Sequence, residues 1–232
     1  MKRHLKRLSA PSTWIIERKT YKFTVRPSPG RHKLERCMPL LLILRDILKL
    51  VKNAREGKRI LNAGEVLVDC VPRKDYKFPV GFMDLLEIPK LKLIYRIGID
   101  RKRRIKLIEI PEGERNLKIC KIIGKRRLKG RRLQLNLHDG RNVLVDYNLS
   151  KLYHTQSSLL LQLPSQQIVK YIPLEEGSLV LVLGGEHSGK LARVEGISGK
   201  SLNLRDEEGK SFTASIENVI AVGKEKPEVK CV

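Results

Sequence analysis

The 232-residue sequence predicts an α+β fold that is mostly β: a basic N-terminal arm, a small helical module, a central β-rich domain and a C-terminal β-barrel-like module. Three observations carry this reading. Leu41, Leu44, Leu48 and Val51 recur at helical spacing, the pattern of one buried face. Leu133-Gln134-Leu135-Asn136-Leu137-His138 alternates strictly and runs into Asp139-Gly140, the pattern of a half-buried hairpin. The charge is uneven: the net +23 divides into +9 over residues 1–36, +4 over 37–100, +11 over 101–132, +1 over 133–170 and −2 over 171–232. A polyanion partner is therefore expected to meet the first 132 residues.

Residues 1–36 are rich in Pro and cations and read as an extended arm. A Lys or Arg that neutralises a phosphate releases a bound counterion, so Lys2, Arg3, His4, Lys6, Arg7, Arg18, Lys19, Arg31 and His32 are candidate phosphate contacts. Trp14 offers a flat face, either to pack the arm onto its own domain or to stack on a base.

Residues 37–90 read as a compact helical module with a hairpin. Pro39 suits a helix start, and Arg45, Lys49 and Lys52 fall together away from the apolar stripe. Asn53 is placed to cap a second helix running to Ala63, with Gly64 as its stop. On that helix Arg55, Lys58, Arg59 and Asn62 share a face at i, i+3, i+4 and i+7. Such a face suits phosphates, although a solvated basic face is the commoner meaning of the pattern. Glu65 to Asp69 reads as a strand, and Tyr76 to Gly81 leads back through a second.

Residues 91–173 carry Arg101-Lys102-Arg103-Arg104, Lys125-Arg126-Arg127 and Arg131-Arg132 among strand signals at Ile105/Leu107, Ile119/Ile122 and Ser158 to Leu163. Leu133, Leu135 and Leu137 should point inward. His138 and Asp139 are adjacent at a hairpin end and are not read as a catalytic pair.

In residues 174–222 a strand, Leu179 to Leu183, precedes Gly184-Gly185-Glu186-His187-Ser188-Gly189-Lys190-Leu191. This imitates a P-loop and fails as one. Leu191 stands where a Mg²⁺-holding hydroxyl is needed, and Lys190 to Ile197 alternates as a strand, leaving no helix N-terminus for phosphate. Further strands are expected at Lys200 to Leu204 and Ser211 to Ile216, around a turn at Asp206 to Gly209. Residues 223–232 are a tail.

Cys37, Cys70, Cys120 and Cys231 form no C-x-x-C pair and are expected as free thiols of a reducing cytosol, with no zinc. No apolar run is long enough to span a membrane. No G-x-G-x-x-G follows a strand, and no segment is left over for a catalytic domain. No enzyme activity, cofactor or metal is expected.

Two longer patterns resemble known families. His4-x-Lys6-Arg7-Leu8-Ser9-x-Pro11-x-x-Trp14-x-Ile16-x-Arg18, continued by Pro27-Ser28-Pro29-Gly30-Arg31-His32, resembles the N-terminal signature of the archaeal/eukaryotic-type small-subunit ribosomal protein four family. A basic, acid-poor start can also open a mitochondrial transit peptide, but here it runs on into this signature. The two short helices and Ala63-Gly64-Glu65-Val66-Leu67-Val68 resemble the αL RNA-binding module, with Cys70 where many members have Gly. A side chain there disfavours a positive φ. Glu176 to Ile197 resembles a KOW motif, which begins an SH3-like barrel, with the loop bearing His187 and Lys190 as its contact edge.

The resemblance spans roughly residues 2–222. It implies a basic arm (1–36), an αL-type module (37–90), a central β-rich domain (91–173), a KOW barrel (174–222) and a tail (223–232). It also implies binding to small-subunit ribosomal RNA beside neighbouring small-subunit ribosomal proteins, as a monomer within the cytoplasmic ribosome. The arm and loops are expected to order only on folded RNA. An RNA-modifying or tRNA-charging enzyme with a borrowed αL-like module would need a catalytic domain, and a transcription elongation factor would leave residues 1–132 unexplained.

Overall fold

The computed structural model describes residues 4–231, and the chain divides into two compact units, Met1–Gly98 with Arg104–Arg115, and Ile99–Arg103 with Asn116–Val232. The first unit contains β1 (Leu5–Lys6), β2 (Phe23–Thr24), β3 (Cys37–Pro39), α1 (Leu40–Leu42), α2 (Ala54–Asn62), β4 (Leu67–Val68), β5 (Val71–Pro72), β6 (Pro79–Gly81), β7 (Leu85–Ile88), β8 (Leu93–Ile99) and β9 (Ile105–Glu109). Its main sheet has the order β5-β4-β7-β8-β9, while β1 pairs with β2 and β3 with β6. The sheet crosses the boundary expected at residue 90, because β8 and β9 complete it from beyond that point.

The expected helix from Pro39 is shorter than its apolar stripe. After α1 the backbone widens into a π-helix, Ile43–Ile47, closed by Leu48 N–H donating to the Ile43 carbonyl at 2.9 Å. Leu40 to Leu44 are all buried, so this turn is apolar on every side, and Lys49 ends it at φ 54°. The second helix matches its signals. Asn53 Oδ1 accepts from Glu56 N–H at 2.9 Å, Glu56 Oε2 accepts from Lys52 N–H at 2.9 Å, and Gly64 follows at φ 75°. Tyr76 to Gly81 does not return to the Glu65 to Asp69 strand: β6 pairs with β3, and β4 lies between β5 and β7.

Asp69 and Cys70 form the two-residue turn between β4 and β5, both left-handed, at φ 53° and 63°. The register of Val68 opposite Val71 demands this primed turn despite the side chain on Cys70. Asp69 is fixed there: its Oδ1 accepts from Leu85 N–H at 3.0 Å and its Oδ2 from Arg31 Nη1 at 2.6 Å.

In the second unit β10 (Leu117–Leu128), β11 (Arg132–Leu137), β12 (Asn142–Asp146), β13 (Ser158–Gln162) and β14 (Gln167–Ile172) form a sheet of order β12-β11-β10-β13-β14. The first half of β10 pairs with β13 and the second half with β11, across an irregularity between Ile122 and Gly124. One long strand can serve both partners because this irregularity re-aims it. Leu133, Leu135 and Leu137 point into a cluster with Cys120, Ile122, Leu159 and Leu161, and the turn after β11 takes its positive φ at Gly140.

The remaining strands, β15 (Leu179–Val182), β16 (Leu191–Ser198), β17 (Ser201–Asp206), β18 (Ser211–Ser215) and β19 (Val219–Gly223), form an antiparallel sheet of order β18-β17-β16-β15-β19. Ala192, Val194, Leu202 and Leu204 face inward at alternate positions. Residues after Lys190 are thus a strand, as the alternation requires.

Two buried polar knots hold this unit. The Lys118 ammonium lies 3.0 Å and Arg141 Nε 3.2 Å from Asp139 Oδ2, and both Lys118 and Asp139 side chains are fully buried. Burial works against the Asp139 carboxylate, but Lys118, His138 and Arg141 outweigh it and hold the pKa at about 2. Lys121 Nζ donates to the carbonyls of Ile216 at 2.6 Å and Val219 at 2.7 Å, joining β10 to the entry of β19.

Two outcomes follow. Cys70→Gly should stabilise the chain by about 1 kcal/mol by removing the left-handed penalty, read as a raised denaturant midpoint. Asp139→Asn should cost about 3 kcal/mol, because it leaves Lys118 buried without its anion. The folded pKa lies below the unfolded one, so this stabilisation is complete above the unfolded value of 3.8 and is lost as the pH falls towards about 2. Acid titration of unfolding should show that limb in the parent and not in the variant.

Candidate nucleic-acid interface

The structure divides the candidate cations into those consumed inside the protein and those left at its surface. Lys2 and Arg3 lie outside the described residues. Arg7 is 3% exposed; its Nε donates to the Glu17 carbonyl, and its guanidinium lies 4.0 Å from Asp46. Arg18 donates to the carbonyls of Ala10 and Pro11, each at 2.7 Å, and of Leu8 at 3.3 Å. His32 Nε2 lies 2.9 Å from Asp84 Oδ2 with its side chain 3% exposed, and its ring fills the space where a Cβ on residue 81 would sit, so only Gly81 fits.

Trp14 is 2% exposed, packs with Ala10 in the first unit's core, and donates Nε1–H to the Cys37 carbonyl at 2.6 Å. Of its two expected uses, packing is the one realised. Arg7, Trp14, Arg18 and His32 thus turn polar groups to partners within the chain, which argues against their use as direct RNA contacts. The arm is also not merely extended. Its described part closes on itself through β1 and β2 and docks through Trp14.

A second group sits at the surface but is already engaged. Arg31 pairs with Asp69, and Arg45 with Asp46 at 2.9 Å. Lys125 Nζ donates to the carbonyls of Ser150 at 3.0 Å and Tyr153 at 2.6 Å. Arg127 covers the Tyr147 ring at 4.6 Å. Lys190 pairs with Asp206, and this hydrogen bond is the main reason that carboxyl sits below the usual range. His187 stacks on Phe212 with centroids 4.0 Å apart. Arg104 is half-buried.

A third group is exposed: His4, Lys6, Lys19, Lys49, Arg55, Lys58, Arg59, Arg101, Lys102, Arg103, Arg126, Arg131 and Arg132. On α2, Gly57 and Leu61 face the core while Arg55, Lys58, Arg59 and Asn62 all face solvent. The fold brings the Tyr76 ring to this face and surrounds the neighbouring Phe78 with cations. Lys58 Nζ lies 4.3 Å over Tyr76, Lys77 lies 5.4 Å from the same ring, and Arg73 and Arg31 lie 4.6 and 5.7 Å from Phe78.

Arg73, Lys74, Tyr76, Lys77 and Phe78 were not among the sequence candidates. The signal was present, because Arg73-Lys74-Asp75-Tyr76-Lys77-Phe78 interleaves cations with aromatic rings, the composition that serves both phosphates and bases.

In the second unit, Arg126, Arg131 and Arg132 lie at the far end of the β10–β11 hairpin, with Gly130 and Arg131 at positive φ in its turn. Arg101 to Arg103 form another turn. A Cβ at Gly189, itself at φ 76°, would come within 2.8 Å of the Ile99 carbonyl. The loop bearing His187 and Lys190 is thereby pressed against that basic turn, although some ninety residues separate them in sequence.

Comparison with known proteins identifies the family of the chain. A family model described as "Ribosomal family S4e" matches residues 91–168, and one described as "RS4NT (NUC023) domain" matches residues 1–35. The chain is 46% identical over 230 residues to the small ribosomal subunit protein eS4 of Korarchaeum cryptofilum, covering 98% of this chain and 96% of that protein. It is 43% identical over 231 residues to the protein of the same name from Methanothermobacter thermautotrophicus, covering 97% and 94%. The crystal structure of the 30S ribosomal protein S4e from Thermoplasma acidophilum superposes with a TM-score of 0.70 at 30% identity, over 82% of this chain and 96% of that one.

Reversing charge on α2 (Arg55→Glu, Lys58→Glu, Arg59→Glu) should weaken RNA binding at least tenfold and flatten its salt dependence by about two to three in log–log slope. Filter binding across a salt series, with circular dichroism to verify the fold, reads both. Unchanged affinity in a folded variant excludes this face.

Proposed function

The chain belongs to the S4e family of small-subunit ribosomal proteins, and from that membership we propose how it engages its RNA. It is a structural constituent of the small ribosomal subunit, works in the cytoplasmic ribosome and binds small-subunit ribosomal RNA without catalysing a reaction. The observation that carries the proposal is the α2 face: four polar side chains on one side, exposed, with Lys58 over the Tyr76 ring, on a helix whose cap and stop fix its ends.

In this reading residues 37–90 act as an αL-type module, with Arg55, Lys58 and Arg59 on phosphates and the Tyr76–Phe78 segment beside them. The primed turn at Asp69-Cys70 supports the assignment, since it keeps the geometry that a Gly would adopt. Residues 174–222 act as a KOW barrel. Its five-strand antiparallel order supports that, and its loop at His187 and Lys190 lies beside Arg101 to Arg103, so the contact edge is a composite of the two.

The tip of the β10–β11 hairpin supplies a further contact through Arg126, Arg131 and Arg132, and the arm contributes Lys6 and Lys19. The uncharged edge strand β18 leaves a surface for neighbouring ribosomal proteins. The protein enters the subunit as a monomer, with the arm (1–36) and tail (223–232) flanking the folded parts.

Recognition is by phosphate neutralisation and shape. Sequence is not read from base pairs, because A-form RNA hides its base edges in a deep, narrow groove. The test is sedimentation of a native extract through sucrose after a high-salt wash, with the protein quantified in each fraction. Near-stoichiometric retention in small subunits is expected. Recovery only in light fractions or in pre-subunit particles would contradict a structural role.

A further inference from the structure

The closing of the arm onto itself creates a feature that the contacts proposed above leave out. Tyr21, Lys22, Phe23 and Thr24 lie with Arg7 and Arg45 around a cleft of about 450 Å³. Tyr21 is 71% and Phe23 51% exposed, the two most exposed aromatic rings among the described residues. Rings of this size are normally buried or covered, because each leaves a large apolar face in water.

Both rings are also electrostatically dressed. The Arg7 guanidinium lies 5.7 Å from the Tyr21 centroid, and Lys22 Nζ lies 5.6 Å from that of Phe23. The His4 ring tilts against Phe23 at 52° with centroids 5.8 Å apart. No acid lines the cleft; Asp46 is engaged with Arg45 and stands near Arg7 behind it. The buried Thr24 hydroxyl at its edge has no partner among the described residues.

We propose that this cleft receives one unstacked nucleotide of the ribosomal RNA, its base laid on Tyr21 and Phe23 and its phosphate on Lys22 and Arg45. The inference rests on the RNA-binding reading above and names a subsite within it. A flat apolar face explains the exposed rings, an anion explains the cations, and only a nucleotide joins the two at this size. A neighbouring protein would bring an aromatic ring or a carboxylate, but not both on one residue.

Arg7, although withdrawn from direct contact, acquires a role. Held by Glu17 and Asp46, it lies beside Tyr21 and fixes the ring that the base uses. The antiparallel pairing of Leu5 with Thr24 and Lys6 with Phe23 sets the cleft floor.

The test is chemical footprinting at single-nucleotide resolution, with reagents that attack unpaired base edges, on protein-free small-subunit RNA bound by the full chain. The parent should protect one or two unpaired nucleotides that Tyr21→Ala/Phe23→Ala leaves reactive, with the rest of the footprint intact and affinity reduced roughly tenfold. Tyr21→Phe/Phe23→Tyr keeps both rings and should keep the protection.

Trp14 is the sole tryptophan and is buried in the docked arm, so its unshifted fluorescence shows that the arm is still folded. If the double variant disturbs it, Tyr21→Ala alone decides. A footprint identical at every nucleotide overturns the subsite and leaves RNA binding standing. Absence of any footprint from the parent overturns the RNA reading and the subsite with it.

Discussion

Self-repulsion is the constraint on which this structure depends. A chain of 232 residues with a net charge of +23 must fold against its own cations, which salt screens only beyond about 10 Å. Acids alone cannot neutralise them, because 25 carboxylates face 48 Lys and Arg. The fold uses backbone carbonyls for part of the deficit. Arg18 gathers Leu8, Ala10 and Pro11; Lys121 gathers Ile216 and Val219; Lys125 gathers Ser150 and Tyr153. Most of these carbonyls lie in loops or short 3-10 turns, and Val219 at the start of β19. A cation that would have repelled its neighbours becomes a staple between distant segments.

The same sorting explains why the interface is sparse and localised. Where an acid is available it is set deep and given a cation, as with Asp139 and Lys118 or Asp69 and Arg31. Cations remain exposed over much of the surface, and some are held on regular elements and tight turns: one face of α2, the end of a hairpin, and the turn at Arg101 to Arg103. Rigid presentation lowers the ordering cost of binding, so a few well-held cations achieve what many on flexible chain would not.

The sequence made legible whatever depends on near neighbours. Asn53, Glu56 and Gly64 define a helix by local hydrogen bonds and one allowed φ, and the structure has them in those roles. Leu133, Leu135 and Leu137 alternate because one face of a strand is buried. Long-range partnerships were not legible. Nothing adjacent to Arg7, Arg18 or His32 says that Glu17, three carbonyls and Asp84 will claim them, so all three read as free cations. Trp14 kept two readings open until the Cys37 carbonyl settled its indole. The apolar run after Pro39 read as an amphipathic helix, but all-round burial removes the need for one face. A positive φ at Cys70 looked unfavourable locally and is imposed by the register of the strands on either side.

The tie from Lys121 to the last strand has a consequence for the order of events during synthesis. The first unit is complete once Arg115 has emerged from the ribosome that makes it. The second unit is not, since β10 donates through Lys121 to carbonyls about a hundred residues later, and β15 pairs with β19, the final strand. The amino-terminal half can therefore fold on the nascent chain and expose α2, the helix proposed to meet RNA, while the carboxy-terminal half waits for nearly the whole polypeptide. Domains folding in the order they are made would give this protein a first handhold on RNA before its last strand exists.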